Sequence, residues 1–193
     1  MKRTLMTVMA LVAIMSVAAS AGTVSGTVSG VKGESVVYVE AIAGKTFPAP
    51  TAQPVMDQKG LMFMPHIIAV QQGTTVEFLN SDKVAHNVFW TSVGGNKKLT
   101  HNLGTWPQGE KRPFKFDNPG AVPLLCNVHP EMAGYVFVSP TPYFAVTDKS
   151  GAYKIENVPD GSYSVTAWHE GAKNSTKPVA VAGDSKADFT LSK

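Results

Sequence analysis

Three side chains that bind soft metal ions recur at three-residue spacing in one short stretch, Leu125-Cys126-Asn127-Val128-His129-Pro130-Glu131-Met132. A strand ending at Cys126 delivers the thiol, and a tight loop carries His129 and Met132 before the chain returns near Gly134. One thiolate and two imidazoles in a trigonal set, with a weak axial methionine, make the coordination pattern of a copper electron-transfer site. A second histidine must therefore come from elsewhere. His86, forty positions before Cys126, follows the alternating stretch Val76-Glu77-Phe78-Leu79 and suits a ligand from a neighbouring strand.

Zinc also takes cysteine and histidine, but methionine is not among its usual donors and copper binds such sites more tightly. Cys126 is the single cysteine of the chain, so no intramolecular disulfide can form. An isolated cysteine is ordinarily a small buried hydrophobe; the neighbours of this one point to a ligand. Pro130 restricts the loop beside His129. His66, His101 and His169 read as surface or packing residues, His101 in a polar connection. Met56, Met62 and Met64 hint at a second copper site, but methionine commonly fills gaps between strands, and none is assigned.

The elements that must position these donors read as strands throughout. Short runs with β-sheet composition are expected at 23–29, 35–43, 67–71, 75–79, 87–91, 112–116, 121–126, 134–138, 143–147, 153–156, 163–168, 177–181 and 187–191. Turn signals such as Asn118-Pro119-Gly120 and Pro159-Asp160-Gly161 separate them. The expected class is all-β. Proline-containing stretches at Phe47-Pro48-Ala49-Pro50 and Ser139-Pro140-Thr141-Pro142 mark the seams of an inserted block, residues 48–139. The flanks, 22–47 plus 140–193, then form one smaller sandwich, since either alone would have difficulty burying a core. Two consecutive domains are the competing arrangement.

Lys2 and Arg3 precede an apolar run from Leu5 to Ala18 that ends in Ala19-Ser20-Ala21, the pattern of a secretory signal peptide at 1–21. The run is shorter than the roughly 20 residues a membrane-spanning helix needs, so no span is expected in the mature chain. Without Lys2 and Arg3 the 17 cationic side chains fall to 15 against 14 acidic ones. That near-neutral balance supplies no field for nucleic acid or anionic lipid.

Cys-x-x-His-x-x-Met with proline after the histidine resembles the ligand loop of amicyanin. The upstream Gly73-Thr74-Thr75-Val76-Glu77-Phe78, leading to Asn80 and then His86-Asn87, resembles the plastocyanin and amicyanin pattern, and so does Phe63-Met64-Pro65. The resemblance spans roughly 55–138. It implies a cupredoxin Greek-key β-sandwich with one type 1 copper held by His86, Cys126, His129 and Met132. It further implies a hydrogen-bonding role for Asn87 beside the site, and His129 as the port through which electrons leave. The C-terminal Asp148-Lys149-Ser150-Gly151-Ala152-Tyr153 and Asn157-Val158-Pro159-Asp160-Gly161 resemble the carboxypeptidase regulatory-like, transthyretin-like sandwich, with Gly22 to Val28 as its opening strand. That family implies a scaffold or partner-binding module and no catalysis.

The expected function is single-electron carriage between periplasmic redox partners, such as a cytochrome or a dehydrogenase. Copper carriage or storage is the alternative. An enzyme ranks third, because the His-x-His pairs of a trinuclear copper cluster do not occur in the sequence.

Overall fold

The computed structural model describes residues 20–193. The expected leader falls almost wholly on residues 1–19, outside the described residues. β1 (Ala21–Ser29) and β2 (Val36–Val39) come first. β3 (Val55–Gln58), β4 (Phe63–Met64), β5 (Ile67–Gln71), β6 (Thr75–Asn80) and β7 (His86–Trp90) follow. After a single 3-10 turn at Lys97–Leu99 come β8 (His101–Trp106), β9 (Lys111–Lys115), β10 (Gly120–Leu125) and β11 (Ala133–Ser139). The last strands are β12 (Phe144–Val146), β13 (Ala152–Pro159), β14 (Gly161–Trp168), β15 (Ser175–Val181), β16 (Asp184–Lys186) and β17 (Phe189–Thr190).

Alternation explains how these strands sort their faces. Along β6 every second residue, Val76, Phe78 and Asn80, is buried, as a two-residue period requires when one face meets a core. Sheets β4-β3-β6-β9 and β5-β11-β10-β7-β8 pack around one cluster that includes Met56, Phe78, Val88, Trp90, Phe116, Leu124 and Val136. Each such side chain contributes about 1.5–3 kcal/mol when fully buried.

The second core joins the two ends of the chain. β1 pairs antiparallel with β13 and parallel with β16 and β17. The other sheet runs β12-β2-β14-β15. Val24, Val37, Ile155, Val165 and Phe189 lie between these sheets. The chain thus leaves this sandwich after β2 and re-enters it at β12, with β3 to β11 between.

Several elements differ from expectation. β3, β4 and β8 were not foreseen: β4 is two residues long, and β8 buries only Trp106, so no apolar period announces it. β8 exists because β7 offers it a partner, with His86 opposite Trp106 and Trp90 opposite His101. His101 therefore opens a strand instead of lying in a connection. β2 stops at Val39, short of the expected 43.

The two sandwiches share a third apolar cluster of Val36, Ile67 and Phe137. The Trp168 ring packs on Tyr135 at 5.3 Å and Phe137 at 5.1 Å between centroids, and Tyr38 lies 4.9 Å from Phe137. At one edge of this contact His66 Nε2 meets Glu170 Oε1 at 2.7 Å. Both partners are well exposed, so the pair adds little stability.

Candidate metal centre

β7 and β10 run antiparallel, with Leu125 opposite Phe89. This register places His86, the first residue of β7, beside Cys126, the residue after β10. His129 then folds back over them from the loop. The ligand atoms of His86, Cys126 and His129 all lie within 4.8 Å of one another. The two Nδ1 atoms face each other at 2.9 Å, and the ring centroids are 4.7 Å apart. His86 is 0% exposed and Cys126 3%, whereas His129 is half-buried.

Neighbouring groups hold each donor. The Asn87 backbone N–H donates to Cys126 Sγ at 3.4 Å, which fixes the sulfur at the end of β10. The Asn87 side chain donates to Asn102 Oδ1 at 2.9 Å and to the Gly104 carbonyl at 2.7 Å. Its own Oδ1 accepts from Asn127 N–H at 3.3 Å. One side chain thereby ties β7 to β8 and to the residue after the cysteine, as the family resemblance implied.

His86 Nε2 is 2.9 Å from Asp82 Oδ2, which leaves Nδ1 directed at the cluster. Asp82 is anchored in turn: Gly60 N–H donates to Oδ1 at 2.7 Å and Leu61 N–H to Oδ2 at 3.0 Å. The Leu61 donor is the largest influence on its carboxyl; burial opposes it, and the Gly60 and His86 contacts add to it, so the carboxyl lies below the usual carboxylate range. Buried Asn80 shapes the intervening loop, donating to the carbonyls of Val84 and Trp106 and accepting from Asp82 N–H. A carboxylate on the far nitrogen of a ligating histidine fixes its tautomer and its ring plane.

Asp82 is the functional residue that sequence reasoning missed. Its place four residues before His86 was visible, but its hold on Gly60 and Leu61 depends on a tertiary contact.

Met132, the fourth expected donor, is 1% exposed, and its N–H donates to the His129 carbonyl at 3.0 Å. The other histidines stand apart. His66 binds Glu170, His169 Nε2 lies 3.0 Å from the Lys32 carbonyl, and His101 packs its ring 4.7 Å from Phe114. Among the described residues, His86, Cys126 and His129 are the one group of three or more histidine, cysteine or acidic side chains close enough to share an ion.

Residues 51–139 match the family described as copper binding proteins, plastocyanin/azurin family. This block is a plastocyanin/azurin-type copper-binding domain. The copper domain is followed by a match to the carboxypeptidase regulatory-like domain over residues 135–192.

Among solved structures, similarity extends to a reduced Cu(I) form of an amicyanin variant, at 21% identity over 47% of this chain and 86% of that one, TM-score 0.42. A purple cupredoxin from Nitrosopumilus maritimus is 24% identical over 45% of this chain and 100% of its own, TM-score 0.40. A copper-containing nitrite reductase from Thermus scotoductus SA-01 is 25% identical over 52% of this chain and 25% of its own, TM-score 0.42.

The copper domain's donors fit the ion that the family match implies. One buried sulfur and two imidazole nitrogens, already gathered within 4.8 Å, suit one type 1 copper.

Proposed function

We propose that this protein carries single electrons through one copper ion held by His86, Cys126, His129 and Met132. The observation that supports the reading most is the preassembly of two imidazoles and a buried thiol within 4.8 Å, tied down by Asn87 and Asp82. A site held this firmly changes little between oxidation states. Bound there, copper supplies a one-electron couple that neither thiolate nor imidazole provides alone.

The residues of the chain do the rest. Asn87 fixes the sulfur, Asp82 holds His86 in one tautomer, and the buried thiol and thioether are shielded from water. His129, half-buried at the end of the sandwich, gives electrons a short way out.

The reading includes export by the 1–21 leader to the periplasm and exchange with a cytochrome or a dehydrogenase. It takes the copper domain as 48–139 and the outer sandwich as 22–47 plus 140–193, and it assigns no catalysis. No helix among the described residues is long and apolar enough to cross a membrane.

Copper carriage or storage is a second reading, favoured by the exposure of Met62 and Met64. Electron self-exchange, measured by NMR line broadening in mixtures of the oxidised and reduced copper-loaded protein, separates the two. Rapid exchange without loss of metal supports electron transfer. Slow exchange, with copper passing readily to an added chelator, would overturn it in favour of carriage.

A further inference from the structure

The three methionines that cluster ahead of β5 separate sharply in the fold. Met56 is 0% exposed and belongs to the core, whereas Met62 is 54% and Met64 46% exposed. Methionine ranks among the more buried side chains, so two exposed ones together call for a reason. Phe63, between them, is 2% exposed. The alternation along the β4 segment therefore sends the phenyl ring inward and both thioethers outward. His66, two residues on, is exposed as well, with 44% of its side chain open to solvent.

This segment runs across the copper end of the domain. On one side the Gly60 and Leu61 amides hold Asp82, the carboxylate that positions His86. On the other, the His66 carbonyl accepts from Tyr135 N–H at 2.8 Å. A methyl group placed on Gly134 would stand 2.8 Å from Phe63 Cβ. Gly134 and Tyr135 directly follow the loop that bears Met132.

His66 is also prepared in the same manner as His86. Its Nε2 is 2.7 Å from Glu170 Oε1, as that of His86 is from Asp82. With Nε2–H donated to the carboxylate, the Nδ1 lone pair is free for a metal, the arrangement that raises the basicity of a ligating imidazole.

We infer that Met62, Met64 and His66 form a second, surface copper site selective for Cu(I). Thioethers are soft donors that select Cu(I), and two thioethers with an imidazole nitrogen hold it without changing its oxidation state. The outer sandwich takes part through Glu170. The inference does not rest on electron carriage, and the thiolate absorption of the buried centre reports on that centre separately.

The test begins with protein holding one equivalent of Cu(I) and adds a second in competition with a colorimetric Cu(I) chelator, following methionine methyl resonances. The second equivalent is expected to bind and to shift Met62 and Met64 while leaving Met56 in place. The double variant Met62→Leu/Met64→Leu should take up only the first equivalent and, once oxidised, keep its visible absorption unchanged. Glu170→Gln should weaken the second site by about tenfold. The inference is overturned if the wild type takes no second Cu(I), or if the double variant still does. Unchanged affinity in Glu170→Gln would overturn the three-donor assignment.

Discussion

The Asn87 backbone donates to the sulfur of Cys126 at 3.4 Å while the same residue's side chain binds Asn102, Gly104 and Asn127. One residue thus links the position of the sulfur to the seating of three chain segments. Asn87→Ala keeps the backbone donor and removes the side-chain ties. A loss of about 1–3 kcal/mol is expected, because buried polar partners are left unsatisfied. Urea denaturation of the metal-free protein measures it, and a change under a few tenths would show that the side chain does not brace the site.

Asp82 meets His86 through the ring nitrogen away from the cluster. Replacing it by alanine frees the ring to rotate and to change tautomer, so copper affinity should fall by about 10–100-fold. Competition with a chelator of known affinity tests this. Affinity equal to wild type would mean that the fold alone orients His86.

Gly134 has no room for a side chain, since a Cβ would stand 2.8 Å from Phe63 Cβ and 3.0 Å from the His66 carbonyl. Gly134→Ala should cost about 1–3 kcal/mol, as overpacking does in a filled core. It should also perturb the visible spectrum of the copper-loaded protein, because residue 134 follows Met132 so closely. A stable variant with an unaltered spectrum would disconnect β4 from the ligand loop.

The ligand loop was legible in the sequence because its donors recur at close spacing after one strand, and the fold sets two of them, Cys126 and His129, beside His86. His86 was legible through the strand pattern ahead of it. Asp82 and β8 were not, and for one physical reason: both are defined by a neighbour distant in sequence. β8 carries one buried side chain and takes its form from β7. Met62 and Met64 look the same as Met56 on paper, and only burial tells them apart. The proline seams were visible in composition, whereas the pairing of β1 with β13 rests on residues more than a hundred positions apart.

Asp188 ties the end of the chain to β1 by accepting from the Thr27 N–H at 2.8 Å and the Thr27 hydroxyl at 3.0 Å. The backbone donor first, then the hydroxyl, lowers its pKa from the ordinary value of 3.8. As pH falls, the unfolded chain therefore takes up this proton before the folded one does. The stabilisation is complete above 3.8 and is lost as pH drops through the lower folded value. Asp188→Asn should be less stable than wild type at neutral pH, with the gap between their urea midpoints closing in acid. A gap that persists at the lowest pH would assign the effect to something other than charge.

In the proposed function Cys126 binds copper as a thiolate between His86 and His129, whose donors the fold gathers within 4.8 Å. Visible absorption of the oxidised protein, loaded with one equivalent of copper and compared with Cys126→Ser, tests it most directly. An intense thiolate-to-copper band in the wild type, abolished in the variant, is the expected result. A wild type that binds copper without that band, or a variant that retains it, would contradict the assignment.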